Sequence, residues 1–252
     1  MGSSALVRLD GLLEKTNAAY QLMLKRGAGQ SQLAPFRQNL GLIHLKIAEI
    51  RLSAGNVDQA IANARQAHGF MPGNADAVGL LARALVAARH ADEAVTTLQA
   101  ALERGIVDAP LSLMLAQLLA GMGRTQEAIA HFETAASLMP GDLAVIVALA
   151  NALAQTGALA DSLVQWRKAL AIDSDAVDHL HRFAVLANDA GALEDAAAAY
   201  RRLTELRPLA GVNHRMLGQQ ITYQAGHPHI AEMQAALAAN APLGQDACEL
   251  HF

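Results

Sequence analysis

The sequence predicts an all-α solenoid built from antiparallel helix pairs, and three observations predict it. The stretch "GNVDQAIANARQAHGFMPGN" from Gly55 returns in paraphrase from Arg89, Gly123, Gly157 and Gly191, a period of 34 residues with no insertion over five copies. A fixed period of that size marks stacked supersecondary units rather than one central core. Within each copy, apolar residues recur at three- and four-residue spacing, as on a packed helical face. The composition is 53% hydrophobic but only 4% aromatic, with alanine dominant. Alanine is the best helix former and lets helices approach closely.

The repeats are set to begin at Gly41, Ala75, Ala109, Leu143 and Val177. The predicted units are therefore 41–74, 75–108, 109–142, 143–176 and 177–210, within an array spanning 35–210. The first 14 residues of each copy form a first helix, as in "APLSLMLAQLLAGM" of the third. A glycine follows in four copies: Gly55, Gly123, Gly157 and Gly191. Glycine takes the left-handed conformation that ends a helix at low steric cost. Arg89 stands there in the second copy, so a strained or different turn is expected. The second helix opens on Asp58, Asp92, Gln126, Asp161 or Glu194. Negative charge suits a helix N-terminus by roughly 0.3–1 kcal/mol. Pro72, Pro140 and Pro208 close three of the second helices, because proline cannot continue a helix.

Small residues fall in phase. Position 8 holds Ala48, Ala82, Ala116, Ala150 and Ala184; position 20 holds Ala60, Ala94, Ala128, Ser162 and Ala196. These are the expected crossing points of the two helices. Phe132, Trp166 and Tyr200 at position 24 are expected to fill the space between repeats. Position 27 supplies Ala67, Ala101, Ala135 and Ala169, then Leu203.

The ends depart from this rhythm. Residues 1–34 read as a helix carrying Leu6, Leu9, Leu13 and Leu22, followed by a "GAGQSQ" linker, with the next helix starting near Pro35. Residues 211–252 read as a degenerate sixth repeat to about Pro242, with a helix from about Pro228 and a further one in "QDACELHF". That last helix is expected to be cut short, because a finished solenoid carries a polar outer face.

Composition excludes several functions. Net charge is −4 and no basic run occurs, so no nucleic-acid partner is expected. The most apolar run, Leu143 to Ala154, is too short to span a bilayer, so no membrane partner is expected. One cysteine, Cys248, allows no internal disulfide. No secretory leader is evident, and a cytoplasmic protein is expected. "GMGRTQ" at Gly121 is a helix–helix turn, not a phosphate loop, since no strand precedes it. The ten histidines form no metal motif and are expected to be solvated. Cys248 and His251 share a helical face, but no catalytic arrangement follows from spacing. The chain is expected to be non-catalytic, with no cofactor and no metal.

Small residues at positions 8, 20 and 27, a large one at 24 and proline at 32 resemble the tetratricopeptide repeat. The tryptophan and tyrosine of that pattern's first helix are absent: His44 and Leu180 stand at position 4. The resemblance implies a right-handed superhelix whose first helices line a concave groove. It implies groove positions near 2, 5, 9, 12 and 13. These supply Glu49, Arg83, Gln117, Asn151 and Gln219 at position 9, His181 and Arg215 at position 5, and Gln155, Asn188 and Tyr223 at positions 12 and 13. Side-chain amides both donate to and accept from a peptide backbone. A scaffold that binds a protein or an extended peptide is therefore the expected function. Leu45, Gly79 and Leu113 stand where a carboxylate clamp would need cations, so that clamp is not expected.

Pro228, His229, Ile230, Leu250, His251 and Phe252 resemble the junction of bacterial proteins that join such repeats to a sulfotransferase domain. The resemblance implies an alternative: a substrate-docking arm whose catalytic domain lies beyond residue 252. A third reading is self-association through an uncapped, apolar C-terminal face.

Overall fold

The computed structural model describes residues 2–224 and 226–238. Among them stand thirteen helices and no strand. The chain divides into two compact units, Met1–Leu138 and Met139–Phe252.

The first unit holds α1 (Gly2–Lys25), α2 (Gln30–Ser53), α3 (Val57–Phe70), α4 (Ala75–Ala87), α5 (Ala91–Glu103), α6 (Ala109–Gly121) and α7 (Thr125–Leu138). Successive helices pack on one another, and α4 also touches α2 and α6. The second unit holds α8 (Leu143–Gln155), α9 (Leu159–Ile172), α10 (Val177–Asp189), α11 (Leu193–Leu206), α12 (Gly211–Gln220) and α13 (Pro228–Ala238). Here α8 to α12 pack in sequence order.

The first helix of the array starts earlier than Pro35. Gln30 opens α2, Pro35 lies inside it, and only residues 26–29 remain as the connection. Gln32 explains the early start: its side-chain oxygen accepts the Gly29 N–H at 3.1 Å, and Leu33 buries one residue on. Proline then costs one carbonyl partner in an exposed second turn.

The alanine pattern is the packing pattern. Every residue at positions 8 and 20 is fully buried, from Ala48 and Ala60 to Ala184 and Ala196. Ser162 shows how closely the paired helices meet. Its hydroxyl donates to the backbone oxygen of Ala150 at 2.7 Å, so position 20 touches position 8 of the same repeat. At position 24 the side chain enlarges along the chain, Ala64, Leu98, Phe132, Trp166, Tyr200, and each is buried. The first repeat finds aromatic packing elsewhere: Tyr20 meets Phe70 edge-on at 6.2 Å, and His44 stacks on Phe70 at 5.9 Å.

The turns within the pairs share one geometry. Gly55, Gly123, Gly157 and Gly191 have φ of 79°, 79°, 82° and 73°, and Arg89 takes φ 64° at the same position. The next residue's N–H returns to the helix in each case, as in Arg124 to Leu119 at 2.8 Å and His90 to Leu85 at 2.8 Å. This six-to-one bond closes a helix through a left-handed residue. In the second copy the bond geometry prevails over the steric preference of a non-glycine residue.

Candidate functional site

Three of the first helices begin on a side-chain cap. Asn74, Asp108 and Asp142 accept the N–H three residues on, Ala77, Leu111 and Val145, at 2.8, 2.8 and 3.0 Å. These caps hold α4, α6 and α8, whose outward faces carry the expected groove residues. Asn74, Asp108 and Asp142 occupy position 34 of consecutive copies, a signal visible in the sequence.

In the first unit, Arg83 and Gln117 line a groove of about 440 Å³ whose walls are Leu52, Val86, Met114 and Leu118. Arg83 also borders a second hollow of about 300 Å³ with Glu49, Asp76 and Asp108. Arg83 thus joins an apolar slot to an acidic one. Glu49 itself pairs with Lys46 at 2.7 Å on the exposed surface.

In the second unit polar side chains share the corresponding face with Ala154, Val185 and Leu186. Asn151, His181, Arg182, Val185 and Asp189 line a hollow of about 330 Å³ floored by Trp166. An adjoining space of about 680 Å³ adds Asp178 and His179. Arg182 donates through Nη1 to Oδ1 of Asn151 at 3.4 Å, and Gln220 donates through Nε2 to Oδ1 of Asn188 at 3.0 Å. Burial, aided by the nearby Arg207 charge and opposed by Asp178, holds the His181 imidazole below its ordinary value. A neutral ring presents one donor and one acceptor.

Gln155 and Gln219 are exposed and Asn188 and Arg215 are half-buried, and these four line none of the hollows just described. Tyr223 is tied elsewhere, its hydroxyl 2.6 Å from Nδ1 of His229. The spacing rule missed Met114 and Arg182. Both lie at position 6, three residues before Gln117 and Val185, and residues three apart share a helical face.

Two histidines correct the expectation of solvated rings. His214 is 2% exposed and His229 is fully buried, facing each other with Nδ1 to Nε2 at 2.9 Å. His229 starts α13 beside Pro228, and the chain folds back so that its ring reaches α12. The expected Cys248–His251 pair, the last predicted helix and the Leu250, His251, Phe252 part of the junction resemblance lie outside the described residues. Among the described residues, no helix is long and apolar enough to cross a membrane.

Helical hairpins stacked by small residues, with a grooved first-helix face, define a solenoid repeat protein. The particular repeat is then recognised by comparison: the model of the tetratricopeptide repeat matches residues 51–118 and 119–165. Solved structures share the fold. YrrB, described as a TPR protein with an unusual peptide-binding site, is 18% identical with a TM-score of 0.59, over 72% of this chain and 92% of that one. The MamA protein is 15% identical with a TM-score of 0.59, over 67% and 92% of the two chains. MamA from Desulfovibrio magneticus RS-1 is 15% identical with a TM-score of 0.57, over 67% and 95%. No curated protein matches the chain. Nothing found links it to a sulfotransferase.

Proposed function

We propose that the chain is a non-catalytic scaffold that holds an extended segment of a partner protein against the first-helix faces of its repeats. The hollow of the second unit carries this reading, where Asn151, His181 and Arg182 converge over Trp166. Amide and imidazole groups there offer both donors and acceptors to a peptide backbone. The first unit complements it with an aliphatic slot beside Arg83, suited to an apolar side chain near a carboxylate. YrrB, alike in fold, is itself described as having a peptide-binding site. An intracellular setting fits the single cysteine.

The test begins with a peptide array probed with the whole chain, followed by titration of the best binder. Replacing Asn151 and Asn188 with alanine together removes two amides, each worth about 0.5–1.5 kcal/mol as a hydrogen-bonding group. Affinity is expected to drop about tenfold or more while the melting temperature stays near that of the parent. An unchanged affinity removes the amide stripe as the recognition element.

A further inference from the structure

Four groups in the second unit form one chain of contacts. The His214 Nε2 lies 2.9 Å from the backbone oxygen of Pro208. A carbonyl only accepts, so that nitrogen carries a hydrogen. The His214 Nδ1 is then an acceptor in the neutral ring, and it lies 2.9 Å from Nε2 of His229, which donates. The His229 Nδ1 in turn accepts from the Tyr223 hydroxyl at 2.6 Å. Each polar atom of the two buried rings is thus used. The rings stack, His214 on His229 at 5.1 Å and Tyr223 on His229 at 5.9 Å.

This chain is a principal tie of α13. Among the described residues, the apolar cluster of that helix is Met233 and Ala236, backed by Leu237, apart from the main core of the unit. Gly218 on α12 makes room for the tie, since a Cβ there would lie 2.9 Å from the Tyr223 oxygen.

The geometry holds a limited number of protons. With both rings neutral, every contact is a good donor–acceptor pair. One added proton is tolerated, because both hydrogens can shift outward and the tyrosine oxygen can accept. A second is not, since two N–H groups would then face each other across 2.9 Å. When α13 is free, that contact is broken and a second proton no longer sets two N–H groups against each other. The released state therefore binds at least one proton more than the docked state in acid.

We infer that the His214–His229–Tyr223 chain is an acid-released latch that docks α13 on the rest of the second unit. The surrounding charges agree on balance. Burial, then the His214 ring, Arg201 of α11 and His227 hold the His229 imidazole low, against Glu232 of α13. Glu205 of α11 lines the hollow beside His214 with Arg201 and Glu232. Arg215 of α12 acts on the Tyr200 phenol, lowering it against burial. Burial keeps the Tyr223 phenol high, with Glu232 and against Arg201, so its hydroxyl remains a donor. The sign follows from linkage: a histidine held low when docked contributes stability above its free value, and that contribution is lost as pH falls below about 6.5.

Hydrogen exchange on the whole chain at pH 7.5 and 5.5, corrected for intrinsic rates, tests the latch. Protection of α13 is expected to fall between about tenfold and about a hundredfold, one to two protons' worth over that window. Protection of α8 serves as the reference and is expected to change by less than about threefold. Nitrogen resonances of the two rings should show both as Nε2–H tautomers at pH 7.5. Retained α13 protection at pH 5.5, or two cationic rings beneath a protected α13, overturns the inference. In His229→Phe, which keeps the stacking but not the titration, α13 protection should be low and independent of pH. A tenfold pH response surviving in that variant would likewise overturn it. Peptide binding to the groove is a separate reading, and its failure leaves these outcomes unaffected.

Discussion

The two units use one repeat differently. In Met1–Leu138 the fully buried large side chains are aliphatic, Leu40, Ile47, Leu85, Leu98, Leu115 and Leu119. In Met139–Phe252 they are Trp166, Tyr200, Leu203, Leu217, His214 and His229. Small polar side chains are buried in both, Asn63 and Ser112 in the first unit and Ser162, Thr204 and Asn213 in the second unit. Its polar side chains use nearby backbone, as Ser162 does on Ala150 and Thr204 on the Arg201 oxygen at 2.7 Å. A repeat scaffold thus accepts polar cores wherever a carbonyl lies within reach, and it gains proton sensitivity where the polar group is histidine.

The local defects are also divided. The first unit caps α4 and α6 with Asn74 and Asp108, leaves α3 and α5 without a side-chain cap, and carries Arg89 in a left-handed turn. The second unit has Gly157 and Gly191 in its turns, but α10 and α12 start on Ala176 and Ala210 with no side-chain cap.

The largest break of this comparison is expected at Trp166. Trp166→Ala should lower the stability of the second unit by about 3–5 kcal/mol, because a fully buried indole leaves a cavity between repeats. Denaturant unfolding followed with probes in each unit would show it, with the first unit's transition displaced far less. Equal displacement of both transitions would mean that the two units unfold as one.

A middle-sized effect belongs to Arg89. A left-handed non-glycine residue costs about 1–2 kcal/mol, and glycine gives back part of that as entropy in the unfolded chain. Arg89→Gly is expected to stabilise the first unit by about 1 kcal/mol in a chemical denaturation midpoint. The smallest effect is a gain at Ala176. Ala176→Asp supplies the cap that Asp142 provides one repeat earlier and should add about 0.5–1 kcal/mol to the second unit. No gain in the unfolding midpoint would mean that the extended backbone at Ala176 does not present the carboxylate to α10.

Much of the fold was legible because its contacts are local. The in-phase alanines mark helix crossings that the structure buries completely, and the glycines mark turns that it closes with one repeated bond. The groove was only partly legible. Arg83, Gln117, Asn151 and His181 line hollows, and Met114 and Arg182 line the same hollows from the neighbouring row of the same face. Pro35 was misleading, since an exposed second turn tolerates a lost bond that an interior turn would not.

What the sequence alone determined is the helical period, because each helix from α3 to α13 buries a face whose spacing is written residue by residue over fewer than fifteen positions. What tertiary structure decided is the company of His214, His229 and Tyr223. Their repeat positions do not announce these contacts, which arise where a short α12 ends at Gln220 and α13 starts again at Pro228. Periodicity reports which face of one helix is buried, whereas a hydrogen-bonded chain across three segments depends on where each backbone ends.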